Sequence, residues 1–349
     1  MKRERVEELL RRFPAERIAV IGDLFLDKWV TVDPKLDEPS VETGKTAFQA
    51  VKTVCAAGAA GTVLNTLSTL GTGKLFVVSL IGNDGDGFEV KKALRARGVD
   101  LSRLIEDDRI VTPTYLKPVF LQEDGSAPVE GNRIDFKNRA KTPRDLEDAV
   151  IDRIRGLLPE VDALVVLDQL TEADTGVVTT RVREALHAIA QENPDLLVYA
   201  DSRAFIHLFR GMTIKCNNYE ALEMAGCPET KNFVPEEVFG ALDALEQLTG
   251  KPAIVTCNVH GVAVREGDKH LVMPASKQTG PIDVVGAGDA CSAGLVTALC
   301  AGASLSEAAT FGNLCSGVTV RKLGTTGTAS PEEVLALFDE QPERFDPER

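Results

Sequence analysis

Histidine is scarce in this sequence. The four residues are scattered with no HxxxH or HExxH spacing, so no histidine-based zinc centre can be read from it. The seven cysteines, Cys55, Cys216, Cys227, Cys257, Cys291, Cys300 and Cys315, are odd in number and no two stand at CxxC spacing. That excludes a fully paired disulfide framework and leaves reduced, mostly buried thiols in a cytoplasmic protein. No apolar run reaches membrane-spanning length. Met1–Phe13 is charged and amphipathic through Val6, Leu9, Leu10 and Phe13, and lacks the apolar core of a signal peptide. Repeats and low-complexity segments are missing. Basic residues are outnumbered: 39 Lys and Arg stand against 53 Asp and Glu, a formal net charge of −14. This argues against nucleic acid or an anionic membrane as partner, but not against an anionic small molecule in a local basic pocket. The first apolar strand ends Gly22-Asp23-Leu24-Phe25, not GxGxxG, so a dinucleotide-dependent oxidoreductase is not supported.

The 349 residues, 44% hydrophobic and 26% charged, suffice for a large buried core. The most informative stretch runs from Gly280 to Ala290, where an apolar approach leads through Gly286-Ala287-Gly288-Asp289 into a helix expected over about 290–301. Glycines there let successive N–H groups point at one spot, and the helix start adds free amides and the positive end of its dipole. Together these make an anion hole. Asp289 beside it can serve in two ways. It can cap the helix, or it can take a proton from a hydroxyl attacking a phosphoryl group held in the hole.

Strand and helix signals alternate along the rest of the chain, as in a parallel sheet covered by helices. Several strands end in a polar residue: Asp23, Asp168, Asp201, Asn217 and Thr256. Such a series points to a polar crevice at the carboxyl edge of one sheet. At Asp23 alone, a ligand contact and a plain turn are equally good readings. Two stretches, about 28–53 and about 110–140, break the rhythm with mixed polarity and short β-type runs, and read as strands of a small lid. Arg133, Asp135, Lys137 and Arg139 lie in the second, where a solvated strand face competes with a substrate contact. Asn83–Gly87 lacks the remaining ligands of a calcium loop and reads as a strand-to-helix turn. Gly58, Ala59 and Ala60 allow a close approach, by a ligand or by a neighbouring element. Ser330-Pro331-Glu332-Glu333 is a helix start with a capping box.

The order of these motifs resembles the PfkB/ribokinase family of small-molecule kinases, over roughly residues 17–333. Asp283-Val284-Val285-Gly286-Ala287-Gly288-Asp289 is similar to the family's DTTGAGD signature, and Asn217-Asn218-Tyr219-Glu220 to its NxxE motif. Gly58-Ala59 stands where the family usually has a Gly-Gly pair. Within the family the chain looks most like the heptose-phosphate kinase branch, through Ile21-Gly22-Asp23 followed by Leu26-Asp27, Arg133-Ile134-Asp135-Phe136, and Lys322-Leu323-Gly324-Thr325 with Ser330-Pro331.

The resemblance implies one doubly wound α/β unit over residues 1–349, with a mostly parallel sheet and a small β-sheet lid. It implies transfer of the ATP γ-phosphate to a hydroxyl of a sugar or sugar phosphate. Asp289 would be the base, and Gly286, Ala287 and Gly288 the anion hole. Asn217, Thr256, Asn258, Gly261 and Asn313 would line the nucleotide site. Asp23, Gly58, Ala59 and Asp168 would meet the sugar. Glu220 and Asn217 would organise Mg²⁺ through water. Asp283 and the Val285 carbonyl match a monovalent-cation (K⁺) site of many members, and the lid matches their homodimer contact. The chain departs from the pattern at Ala59, at Thr62 where an asparagine often stands, and at Val284 and Val285 in place of threonines. The competing reading is a sugar- or nucleotide-binding protein that keeps the fold without turnover.

Overall fold

Along the core strands, alternate residues pack to opposite sides. Ile18, Val20, Leu75, Val77, Val165 and Leu167 join one apolar cluster, while Ala19, Ile21, Phe76, Val78, Leu164 and Val166 join another. A strand buried on both faces reads as a continuous apolar run, which is why Arg17–Gly22 and Ala163–Asp168 carry no polar alternation. The structure is a computed structural model and describes residues 1–226 and 233–346, so Cys227 lies outside the described residues. The six described cysteines are unpaired.

The main sheet has eight strands, in the order Lys269–Met273, Val262–Glu266, Ala253–Thr256, Thr213–Asn217, Leu197–Ser202, Ala163–Asp168, Arg17–Gly22 and Lys74–Val78. From Ala253–Thr256 to Lys74–Val78 neighbours are parallel, and the first two strands are antiparallel additions at one edge. Helices Ala60–Thr69, Ala287–Cys300 and Leu305–Thr319 contribute to the first cluster, and Arg144–Leu157, Thr180–Glu192 and Pro235–Thr249 to the second. The sheet is therefore wound on both faces, as the sequence implied. The chain's direction along the sheet reverses between Arg17–Gly22 and Ala163–Asp168. No described helix is long and apolar enough to cross a membrane.

A second sheet has five strands, with Leu24–Val32 parallel to Thr114–Phe120 and antiparallel to Ala50–Ala59. Val129–Glu130 and Ile134–Phe136 both pair with Thr114–Phe120. This lid begins earlier and its second strand ends later than expected. Arg17–Gly22 passes into Leu24–Val32 across Asp23 alone, and Ala50–Ala59 runs straight into Ala60–Thr69. The lid is thus welded at two points to the carboxyl edge of the main sheet. One of its faces is tied to helix Gly85–Ala96 by Lys28 Nζ and Thr114 Oγ1, which donate to the Asp86 carboxylate at 2.9 and 3.0 Å. The opposite face carries Phe25, Asp27, Trp29, Tyr115 and Lys117, linked by a Phe25–Tyr115 ring contact and an Asp27–Lys117 ion pair. Asp84 caps Gly85–Ala96 through the Gly87 amide, so Asn83–Gly87 is the turn it was read as. Ser330 and Glu333 form the expected capping box.

Candidate functional site

Helix Ala287–Cys300 begins three residues before the sequence suggested, with Gly286 as its N-cap at φ 78°. That left-handed backbone suits glycine, and a Cβ at this position would stand 2.7 Å from Thr326 Cγ2. The early start places Ala287, Gly288 and Asp289 in the first turn. Ala287 N–H donates to the Val284 carbonyl at 3.1 Å, whereas the amides of Gly288 and Asp289 have no partner among the described residues. Two unspent donors at a helix start can hold an anion. Asp289 caps nothing. Its side chain makes no hydrogen bond among the described residues, and it keeps partial access to the cleft. Burial raises its pKa to about 7, with the Lys215 charge opposing that rise, Asp201 adding to it, Arg203 opposing and Asp27 adding.

Beneath this turn, Lys215 Nζ donates to Asp201 Oδ2 at 2.5 Å. The two residues are register partners on adjacent strands. The same carboxylate oxygen accepts Ser292 Oγ at 3.2 Å, and Tyr199 Oη donates to Ser292 Oγ at 2.9 Å. The helix that carries Asp289 is therefore hydrogen-bonded to the strand beneath it. The sequence reading passed over Lys215. Its signal was available as a lone charge in the otherwise buried run Thr213-Ile214-Lys215-Cys216.

A cleft of about 520 Å³ gathers all five expected nucleotide residues, Asn217, Thr256, Asn258, Gly261 and Asn313, together with Glu220, Gly286, Ala287, Gly288 and Asp289. It adds Gln169, Asp201, Arg203 and Lys215. Asn217 and Glu220 form a reciprocal capping box. Asn217 Oδ1 accepts the Glu220 amide at 2.9 Å, and Glu220 Oε2 accepts the Asn217 amide at 2.8 Å. The Asn-x-x-Glu spacing thus has a structural cause, and Glu220 Oε1 has no partner among the described residues. Asn313 sits in the middle of Leu305–Thr319 and donates to the Met273 and Pro274 carbonyls at 2.7 and 3.2 Å.

The expected sugar residues fall elsewhere. Asp23 is buried, and its two oxygens accept the amides of Val177 and Gln169 at 2.8 and 3.0 Å. Asp168 is buried, accepts Ser202 Oγ at 2.8 Å, and lines a separate cavity of about 100 Å³ with Arg183 and Phe205. Burial, then the neighbouring Asp23 charge, pushes Asp168 to about 7. Gly58 lies on the lid, where a Cβ would stand 2.5 Å from Asp27 Oδ2. Ala59 has φ 53° and ψ −117° at the junction between lid strand and helix. Asp283 clamps its own loop: one oxygen accepts the Val285 amide at 3.0 Å and the other the Gly324 amide at 3.1 Å. Val285 itself is exposed.

What lies over Gly58 is Asp27, held by Lys117 at 2.9 Å and close enough to influence Asp289. Arg133 stacks on Tyr115 at 3.9 Å and pairs with Asp135. The clue to Asp27 was a carboxylate on a strand facing the small residues Ala56–Ala59.

A main sheet wound on both faces, a β-lid at its carboxyl edge and a helix N-terminus with an aspartate in its first turn define the ribokinase-like arrangement. The same fold occurs in Arabidopsis thaliana ribokinase complexed with ribose and ATP, with a TM-score of 0.64 and 19% identity over 92% of this chain and 98% of that one. It occurs also in Escherichia coli phosphofructokinase-2 in complex with substrates and products, at TM-score 0.70 and 16% identity over 93% and 99%. The sequence matches the profile of the pfkB family carbohydrate kinases over residues 15–333, and the chain belongs to that family. Among curated relatives, the bifunctional protein HldE of Geotalea uraniireducens is 29% identical over 96% of this chain, and that of Trichlorobacter lovleyi 27% over 96%. The chain spans just under two thirds of the length of each, 66% and 65%.

Proposed function

We propose that this chain transfers the γ-phosphoryl group of ATP to a hydroxyl of a sugar or sugar phosphate bound between lid and cleft, with Asp289 as base. The observation that carries this reading is the first turn of Ala287–Cys300. An accessible carboxylate with a pKa raised to about 7 stands beside two unpartnered amides, at the floor of a cleft large enough for a nucleotide. A base is most useful when its pKa lies near the working pH. Asp289 would accept the hydroxyl proton as the oxygen bonds to phosphorus, and the bond from phosphorus to the β–γ bridging oxygen would break to release ADP. The Gly288 and Asp289 amides would take up charge on the phosphoryl oxygens.

The donors present fit a polyphosphate. Among the described residues, no three His, Cys, Asp or Glu side chains are grouped to hold a metal. Glu220 Oε1, with Asn217 beside it, fits the outer shell of a hydrated Mg²⁺, which would neutralise charge on the phosphates. We assign Asp283 to holding its loop, because both of its oxygens are occupied by amides. On the acceptor side we assign Asp27, above Gly58, and we assign Asp23 and Asp168 to shaping the loop that follows Ala163–Asp168. Val51, Val54, Val129, Ile134 and Phe136 are exposed on the lid, which fits a second copy docking there.

The test is ADP release from Mg-ATP against a panel of free and phosphorylated sugars, heptose phosphates among them, and nucleosides. Release that depends on one acceptor class supports the reading. ATP binding without acceptor-dependent release would favour the silent binding protein.

A further inference from the structure

We propose that the cavity beside Asp168 is a second binding site, separate from the cleft, for a small neutral ligand with neighbouring hydroxyl groups. This does not depend on the kinase reading above. The cavity, of about 100 Å³, lies behind the loop that follows Ala163–Asp168 and opens to solvent past the exposed residues Ala173, Thr180 and Leu208. It shares no lining residue with the cleft. Arg183 lines it with a side chain only 9% exposed. A guanidinium has five N–H donors. Among the described residues one of them is spent, on Thr180 Oγ1 at a long 3.5 Å, and Asp168 Oδ2 stands 3.9 Å away, beyond hydrogen-bond reach. The rings of Phe205 and Phe209, centred 5.9 and 5.7 Å from the guanidinium carbon, restrict where it can turn. Buried donors are normally paired, so a nearly buried arginine with most of its donors unspent points to something that the cavity receives.

The charges around the cavity select the ligand. The carboxylates of Asp168, Glu172 and Asp174 repel an anion brought to Arg183, and Arg183 repels a cation brought to them. Glu172 and Asp174 are already paired with Arg139 and Lys141 at 3.5 and 3.4 Å. Asp168 spends one bond, on Ser202, of the about four that a carboxylate accepts. What fits between Arg183 and Asp168 is a group that accepts from the first and donates to the second, and a hydroxyl does both. Two hydroxyls on adjacent carbons reach both residues at once. Water has the same polar capacity, but Leu170, Val178, Phe205 and Leu208 make part of the wall apolar. Such a wall offers water few partners and suits the C–H faces of a polyol. The volume is that of roughly three water molecules at about 30 Å³ each, room for a three-carbon polyol. The site also lies close to the cleft along the chain. Gln169 follows Asp168 directly, and the Arg203 amide donates to the Asp168 carbonyl at 2.9 Å, while Gln169 and Arg203 both line the cleft. A ligand that braces Asp168 is thus one residue from the cleft on each of two neighbouring strands.

The test is a titration of the full chain with glycerol, followed through amide shifts in a proton–nitrogen correlation spectrum, with sodium acetate as the anionic comparison. Glycerol is expected to move the amides of Gly176, Val178 and Thr180 along one saturable curve. Arg183→Gln should weaken that binding roughly fivefold or more. Because Arg183→Gln disturbs a nearly buried charge, Thr180→Tyr is measured beside it. It fills the exposed mouth, leaves Arg183 and Asp168 in place, and should abolish the shifts. Glycerol binding unchanged in a folded Thr180→Tyr variant would overturn the site. Shifts confined to Gly286, Gly288 and Asp289 would put glycerol in the cleft and overturn it equally, as would no saturable shift at all, the mark of a cavity that holds water alone. Acetate binding more tightly than glycerol at the same amides would overturn the ligand class. None of these outcomes bears on Asp289 or on the kinase reading.

Discussion

Two groups of carboxylates lie along the carboxyl edge of the main sheet, and they differ in what their oxygens do. Asp23 and Asp168 end neighbouring strands at the point where the chain's direction along the sheet reverses. Asp23 takes two backbone amides and Asp168 takes the Ser202 hydroxyl. Asp289 is also surrounded by protein, and burial brings both it and Asp168 to about 7. Its oxygens, however, bond to nothing among the described residues, and Lys215 and Arg203 lie near it. Burial alone therefore does not set Asp289, the proposed base, apart from Asp168. The distinguishing features are an unspent oxygen, access to a cleft, and positive groups placed for an anion.

The largest effect that sharpens this contrast is at Asp289. Asp289→Asn keeps the shape and removes the proposed base, so acceptor-dependent turnover should fall roughly 10²–10⁴-fold while ATP still binds. The base must be ionised. In the wild-type protein kcat/KM should therefore fall about tenfold per pH unit below about 7 and level off above it. A flat profile from pH 6 to 8 would erase the difference between the two groups.

A third buried carboxylate, Glu16, sits at the opposite end of the sheet with no hydrogen-bond partner on either oxygen among the described residues. Burial, then the Asp162 charge, raises its pKa to about 9 from 4.5. The folded state thus favours the neutral acid. The stability contributed by that preference is full below about 4.5 and is lost as pH rises through the window up to about 9. Glu16→Gln stays neutral and should stabilise the protein at pH 8 by on the order of 3 kcal/mol, with little gain at pH 5. Urea midpoints at the two pH values check this, and equal shifts at both would show that folding does not raise the Glu16 pKa.

Asp23→Asn should act on the fold and not on the chemistry. It removes a charged acceptor from two amides, at a cost of about 2 kcal/mol. The expected result is a lower denaturation midpoint with turnover per folded molecule changed by less than about tenfold. A collapse of turnover without a change in midpoint would return Asp23 to the substrate side. The smallest effect is at Ala59, whose φ of 53° and ψ of −117° suit glycine. Ala59→Gly should stabilise by about 1 kcal/mol, read as a small rise in melting temperature. A loss of stability would mean that the Ala59 methyl group packs better than its backbone is strained.

Much of this could be read from residue order. The fully apolar runs at Arg17–Gly22 and Ala163–Asp168 indicate strands buried on both faces. The Gly286-Ala287-Gly288-Asp289 stretch indicates a helix start, and Ser330 with Glu333 a capping box. Each is a local pattern, and local patterns survive folding because backbone geometry and burial follow the side-chain period. Element ends were less legible. The lid strand Leu24–Val32 and the helix Ala287–Cys300 both begin before their expected starts, because pairing with Ala50–Ala59 and the turn at Gly286 extend them.

The sequence by itself determined the alternation of strands and helices, the two stretches that break it, and the placing of Asp289 at a helix start, since short-range spacing and hydrophobic period carry all three; the doubly wound arrangement was implied by the family resemblance. Tertiary structure decided which strand-ending aspartates have their oxygens taken by protein donors. Asp23 and Asp168 turn inward because the loop through Gln169 and Val177 returns to them with unpaired amides and a neighbouring hydroxyl, and a buried carboxylate takes whatever donors reach it. Only the packing of one helix over two strands brought Lys215, Asp201, Ser292 and Tyr199 together beneath Asp289. No spacing along the chain encodes a meeting of residues up to 93 positions apart.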